Sequence, residues 1–337
     1  MVNFKEVFLK SKWLMIFYYI FDNCKNFLFF KAGNFTTSRD SILNKLNLTN
    51  SIEYINRVFN DYIYYSSSYI TEIRGERILE IGTGDNFGVA LKFIAEGASQ
   101  VVCLDKFIIN RNIEKEKKLY KNLSQKLNTK KKFAFFRAIK LNNLIKLNSS
   151  KLKYVFGKGI EESLNFFKRN SFNFIISRAV MEHIYKIDKA FEVMDQLLVK
   201  GGIMMHKIDF SDHKMFSEMG KHPLTFLTIP SFVYKLMTNF SSKPNRKLIN
   251  YYLRKMNELE YESKVLITSI LGEKEELVPY IEINKFNFKN YKKTIKIIEE
   301  IRPKLKNEFK NISNEHLMIT GIFLIAKKKK NSSYPEI

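Results

Sequence analysis

The stretch Ile78-Leu79-Glu80-Ile81-Gly82-Thr83-Gly84-Asp85-Asn86-Phe87-Gly88 decides the fold. It opens as a short apolar strand, and Glu80 precedes two glycines that are spaced one residue apart. Glycines at 82 and 84 let the backbone turn sharply and approach a ligand where a side chain would clash. Gly88 then opens a helix ending near Gly97, and the helix's first amides face the same crevice. Such a turn lies at the carboxyl end of a parallel strand, where open α/β sheets bind ligands. Three residues separate Gly84 from Gly88, so the dinucleotide spacing Gly-x-Gly-x-x-Gly is not met. Glu80 would sit badly beside a pyrophosphate and suits a ligand with a cationic amino group.

Working outward, strands and helices alternate. Val101 to Asp105 reads as the second strand, and a carboxylate at its end can accept both hydroxyls of a ribose. Tyr154-Val155-Phe156, Phe172 to Ser177 and Ile203 to Ile208 read as further strands, with helices over 161–167 and 188–198 between them. Val265 to Ile270 and His316 to Ala326 would close the sheet. The pattern predicts an α/β fold: a Rossmann-like, doubly wound, seven-stranded, mostly parallel sheet with an N-terminal helical extension. Residues 1–48 form that aromatic extension, with a loop at 32–38. Ser51 is predicted to cap a helix running through Ile55, Val58, Phe59 and Tyr62. The main domain spans 49–330, with a substrate-cover insertion at about 210–260 that holds Pro223, Pro230 and Pro244, and 331–337 is a tail.

The 337 residues carry a net charge of +23, with 45% hydrophobic and 14% aromatic side chains, which excludes a disordered chain. Lysine is spread along the whole sequence together with much Asn, Ile, Phe and Tyr, the pattern of a gene low in G and C. The charge is therefore weak evidence for any single partner. Cys24 and Cys103 are the only cysteines, which implies a reducing, cytoplasmic compartment and no disulfide framework. The apolar run from Trp13 to Phe30 is broken at 22–26, too early for a spanning helix. Packing on the domain is the expectation for it, with peripheral membrane contact through residues 13–30 as the alternative.

The segments Ile78 to Gly88, Val101 to Asp105, Ser171 to Ile184 and Leu197 to Gly202 resemble class I S-adenosylmethionine-dependent methyltransferases, the small-molecule branch of the type 11 kind. The resemblance implies S-adenosylmethionine as cofactor. By that likeness Glu80, Gly82 and Gly84 hold its methionine end, Asp105 its ribose, and Glu161 its adenine, although Gly157 to Glu162 departs from the family's usual Gly-Asp pattern.

Nitrogen-directed members often carry Asn/Asp-Pro-Pro-aromatic after the fourth strand, whereas this chain has Ser177-Arg178-Ala179-Val180. That argues against nucleic-acid and amide acceptors, and for a hydroxyl on a sugar, glycan precursor or similar small molecule. An RNA methyltransferase or RNA-binding protein is the alternative that the charge suggests. His183, His206 and Asp209 are candidates for acid/base work, and Arg178, Asp212 and His213 for gripping substrate. Strand alternation puts His206 and Asp209 on opposite faces. The spacing of this cluster matches no recurring ligand pattern, so no metal is expected.

Overall fold

The computed structural model describes residues 11–31, 46–107, 111–240 and 243–329. The loop expected at 32–38 and the tail at 331–337 lie outside these described residues. In chain order the helices are α1 (Lys12–Lys31), α2 (Leu48–Tyr65), α3 (Gly88–Ala95), α4 (Ile113–Gln125), α5 (Thr129–Ala138), α6 (Ile187–Leu197), α7 (Ser231–Thr238), α8 (Ile249–Glu258), α9 (Lys292–Ile301), α10 (Asn307–Lys310) and α11 (Asn314–Met318). The strands are β1 (Arg77–Ile81), β2 (Gln100–Asp105), β3 (Ile139–Leu141), β4 (Ile145–Leu147), β5 (Leu152–Phe156), β6 (Phe172–Arg178), β7 (Leu198–Asp209), β8 (Glu262–Ile270), β9 (Ile281–Glu282) and β10 (Ile319–Lys327).

The main sheet has the order β5-β2-β1-β6-β7-β10-β8-β9. From β5 to β7 neighbouring strands are parallel, and β10 runs antiparallel to both β7 and β8. It is thus eight-stranded rather than seven, because the two-residue β9 adds an outer edge that is too short to read from hydrophobic pattern. A separate hairpin, β3–β4, also went unread in the Lys- and Asn-rich segment. The expected strand from His316 begins later. Ser313 accepts a hydrogen bond from the His316 amide (3.2 Å) and caps α11, and the chain becomes extended only at Ile319. Similarly, Asn47 rather than Ser51 caps α2, accepting from the Asn50 amide at 2.8 Å, while Ser51 lies buried in the first turn.

Apolar layers cover both faces of the sheet. One layer joins Leu79, Ile175, Met204 and Ile208 of the sheet to α6, α7 and α8, and the other joins Ile78, Val101, Cys103 and Ile176 to α2, α3 and α4. The strand side chains alternate between these layers, which is why the central strands read as continuous apolar runs. The insertion is built around Arg246. Its guanidinium donates to the Phe226 and Ile229 carbonyls (3.2 and 2.7 Å), pairs with Glu308 (3.0 Å) and lies 4.2 Å above the Tyr234 ring.

The N-terminal helix packs on the domain, as expected, and does so through this insertion. Met15 and Ile16 enter the core, Tyr19 donates to the Met215 carbonyl (2.9 Å), and Asn23 bridges the Leu236 carbonyl and the Phe240 amide (2.9 and 2.6 Å). Its outer side remains exposed, with Trp13 at 63% and Phe21 at 72%. None of the described helices is long and apolar enough to cross a membrane.

Because Arg246 ties four segments together from a buried position, Arg246→Ala should destabilise the fold by about 3 kcal/mol or more. Urea unfolding followed by circular dichroism checks this, and a change below about 1 kcal/mol would contradict it.

Candidate active site

Strand β1 delivers Glu80 and then turns at Gly82, whose amide donates to the Leu104 carbonyl of β2 (2.8 Å). Gly82 and Gly84 both have left-handed φ, +76° and +77°, which L side chains rarely adopt. They differ in surroundings. A Cβ at Gly82 would overlap the Val180 side chain, while one at Gly84 would meet nothing within 4 Å. Gly82 is therefore the point where the post-β6 segment leans on the turn, and Gly84 faces the open crevice. Asn86 accepts from the Gly88 amide (2.8 Å) and starts α3.

In-register pairing sets Glu80 opposite Cys103 and puts Asp105 at the end of the neighbouring strand. Both carboxylates are 8% exposed. Burial, reinforced by the Asp105 charge, raises Glu80 to about 8 against the opposing effects of the Cys103 thiol (3.6 Å) and Arg111. Burial likewise raises Asp105 to about 7, although Arg111, the Gly84 amide and the Tyr154 hydroxyl all favour its charged form. The protein is thus set up to receive positive charge and hydroxyl groups here. Asp105 Oδ2 and Thr83 Oγ1 are buried and have no hydrogen-bond partner among the described residues. Orphaned acceptors beside an open glycine backbone fit a ligand that brings an amino group and a ribose, which is what S-adenosylmethionine would bring.

Arg111 was not foreseen. It donates to the Gly84 carbonyl (3.1 Å), approaches Glu116 (3.5 Å) and lies 3.7 Å above the Phe87 ring and 4.9 Å from that of Tyr154. No spacing rule singles it out, since its contacts come from separate elements. Tyr120 completes the wall, donating to Glu116 (2.8 Å) and accepting from the Phe87 amide (2.8 Å). Glu161 lies on the short 3₁₀ turn after β5, folded back over Gly159 with the Lys106 stem nearby. That position, at the same sheet end as Asp105, is compatible with the adenine role.

The proposed acceptor residues divide. His183 and His213 come together, with ring centroids 4.9 Å apart, and Asp209 Oδ2 lies 3.4 Å from His213 Nε2. Burial works against the Asp209 charge, but His213 and the Ser211 amide outweigh it and hold the carboxyl below its usual range. Glu182, 1% exposed, joins this group, which sequence reasoning had passed over.

Three other candidates are placed elsewhere. His206 is completely buried; burial lowers it to about 3, and its Nδ1 lies 2.7 Å from Ser177 Oγ, so at neutral pH it is an uncharged core residue and not an accessible base. Arg178 points to the opposite layer and pairs with Asp61 (2.7 Å). Although burial opposes its charge, Tyr54, Tyr280 and Asp61 more than compensate. Asp212 accepts from the Lys214, Phe216 and Ser217 amides and from Ser217 Oγ (2.7–3.0 Å), so its oxygens are committed to the turn. Alternation fixed only which face each β7 side chain takes; these partners come from distant segments.

In the unfolded chain Glu80 ionises near 4.5 and in the fold near 8. Its contribution to stability is therefore complete below 4.5 and is lost as pH rises through 8. Glu80→Gln should raise the melting temperature of the ligand-free protein by several degrees at pH 9 and leave it nearly unchanged at pH 4.5. Equal shifts at both pH values in a thermal scan would contradict the burial argument.

A family model described as a methyltransferase domain matches residues 53–258. No curated protein sequence matches the chain. Among solved structures, phosphoethanolamine N-methyltransferase 2 of Haemonchus contortus, in complex with phosphomonomethylethanolamine and S-adenosylhomocysteine, has a TM-score of 0.41 at 15% identity, over 80% of this chain and 53% of that one. A putative sarcosine dimethylglycine methyltransferase of Galdieria sulphuraria scores 0.39 at 12% identity, over 84% and 86%. An S-adenosylmethionine-dependent methyltransferase of Mesorhizobium loti scores 0.38 at 13%, over 78% and 95%. The chain spans about half the length of the Haemonchus enzyme. At these scores the likenesses have no bearing on what this chain methylates. The family match extends from α2 through α8 and takes in the glycine turn, both buried acids and the β6–β7 segment; the chain belongs to the methyltransferase-domain family of class I, S-adenosylmethionine-dependent enzymes.

Proposed function

We propose that this chain transfers a methyl group from S-adenosylmethionine to a hydroxyl of a polar small molecule, with a sugar or glycan precursor as the acceptor class. The observation that supports it best is the pairing of two half-sites. The buried acids Glu80 and Asp105 end β1 and β2, and the imidazole cluster of His183 and His213 lies past the ends of β6 and β7. Val180, packed on Gly82, joins the two.

When bound, S-adenosylmethionine would supply an electrophilic methyl group to the acceptor oxygen. Glu80 would hold its amino group, Asp105 its ribose hydroxyls and Glu161 its adenine edge. His213 takes the proton that the acceptor hydroxyl loses, and Asp209 steadies the resulting imidazolium from 3.4 Å. The rest of the enzyme's work is positioning, which alone can account for much of a methyl-transfer rate.

Calorimetry with S-adenosylhomocysteine should show binding by the wild type and at least a ten-fold loss in Glu80→Ala and Asp105→Ala. In a metabolite extract given labelled S-adenosylmethionine, label should enter the small, polar, uncharged or acidic fraction. Label confined to RNA or protein would sink the acceptor reading.

A second reading is favoured by the outer side of α1. Trp13, Phe17, Phe21 and Leu28 project from it, continued by Phe232 and Leu236 of α7, and all of them are more than half exposed. Lys25 and Lys31 lie over the Phe29 and Phe27 rings at 5.7 and 5.6 Å, in the posture of basic residues at a lipid interface. We infer that this face rests on an anionic membrane surface. Trp13 is the sole tryptophan, so its fluorescence reports on the face directly. Its emission should shift to the blue with phosphatidylserine-containing vesicles, and less so in Phe17→Ser/Phe21→Ser. An unchanged spectrum would remove the membrane reading.

A further inference from the structure

The Glu182, His183 and His213 side chains each offer one ligand atom, and these atoms all lie within 4.8 Å of one another. A tetrahedral cation with bonds of about 2.1 Å needs its ligand atoms roughly 3.4 Å apart, a gap that small side-chain rotations close. We propose that Glu182, His183 and His213 form a binding site for a divalent first-row transition-metal cation that grips the acceptor's hydroxyl oxygen.

The donor set argues for this class. Two imidazoles and one carboxylate suit Zn²⁺, Co²⁺, Mn²⁺ or Fe²⁺ and leave coordination positions open, whereas Mg²⁺ and Ca²⁺ prefer all-oxygen surroundings. Glu182 is 1% exposed, so a cation held by its carboxylate would be shielded from bulk water on that side.

The supports around the three residues are those of a built site. Asn245 of the insertion donates its side-chain amide to the Met181 and Ile184 carbonyls (2.9 and 2.8 Å) and its backbone amide to the Glu182 carbonyl (2.6 Å), which fixes the turn that carries Glu182 and His183. Asp212 clamps the loop that carries His213 through four hydrogen bonds. His213 itself has a φ of +48°, held there by that clamp. Asp209 lies 3.4 Å from His213 Nε2 and takes its second oxygen to the Ser211 amide (2.8 Å), the carboxylate–histidine arrangement that orients metal ligands. Spacing along the sequence hides the set, because Glu182 and His183 follow β6 and His213 follows β7.

The inference rests on the hydroxyl-acceptor reading and deepens it. With a cation bound, His183 and His213 would serve as ligands, so His213 would give up the base role described above; the cation would make the acceptor hydroxyl more acidic, and its proton would leave to solvent.

The test uses untagged full-length protein, freed of metal with a chelator and titrated with Co²⁺. One equivalent should bind per chain, with visible absorption bands that Zn²⁺ displaces. Glu182→Gln and His213→Asn should each weaken Co²⁺ binding at least ten-fold while leaving S-adenosylhomocysteine affinity and the circular dichroism spectrum unchanged. Asp209→Asn should weaken it about 10- to 100-fold. Absence of Co²⁺ and Zn²⁺ binding by folded wild type, or equal binding by both ligand variants, would overturn the metal site. Since S-adenosylhomocysteine binding is measured on the same samples, that failure is distinguishable from failure of the methyl-transfer reading.

Discussion

Burying two carboxylates side by side is costly, and much of the first half of the molecule is arranged around that cost. β1 and β2 pair in register, so Glu80 and Asp105 emerge at adjacent strand ends inside a layer that excludes water from both. Left to themselves they would take up protons, and near neutral pH they are poised to do so. Arg111 offsets part of the penalty from the Phe87 and Tyr154 rings, where cation–π attraction holds its guanidinium near the acids without a full ion pair. Such a site is unsatisfied by design: a cationic ligand with hydroxyls stabilises it more than water can. This is the usual tension between a stable fold and a strained, functional one.

Second, the insertion and the N-terminal helix act as scaffold for the acceptor half. Asn23 ties α1 to the Leu236 carbonyl of α7, Tyr19 ties it to the Met215 carbonyl of the loop after β7, and Tyr234 of α7 donates to the Pro244 carbonyl (2.9 Å), next to Asn245. Asn245 in turn fixes the Glu182 turn. A continuous run of contacts therefore leads from the exposed aromatic face to the site's wall. Elements that look peripheral in the sequence thus support the turn that carries the proposed acceptor-side residues Glu182 and His183, as outer supports do in preorganised sites.

The placement of the residues proposed for the cofactor was largely legible in the sequence because its determinants are local. Glu80, Gly82 and Gly84 fall in one turn, and Asp105 ends the next apolar run, so periodicity and glycine chemistry suffice to place them. The fold order was legible for the same reason, apart from β9 and the β3–β4 hairpin, which are too short to show a period. The acceptor half was not. Whether His206 is a base or a core residue depends on Ser177 across the β6–β7 pairing, and whether Arg178 grips substrate depends on Asp61, far away on α2. Asp212 looked available because nothing in a sequence shows that four donors in its own loop will fill its lone pairs. Glu182 escaped because one glutamate before a histidine is unremarkable until His213 arrives opposite.

The two halves meet where Val180 packs on the glycine turn, beside the β1–β6 pairing. Gly82 needs no side chain for its own turn to form, since its left-handed φ already favours glycine, yet Val180 fills the space that a Cβ would take. Ala179, at φ +54°, bends the chain out of β6 so that Val180 lands there. Val180 is followed by Met181, completely buried, and then by Glu182 and His183. Any displacement of the glycine turn by the ligand it receives must therefore push on the segment that bears two acceptor-side residues. The proposed acceptor cluster thus follows in sequence directly on the packing of Val180 against the glycine turn, so one short segment carries both the wall of the turn and two of the acceptor-side residues.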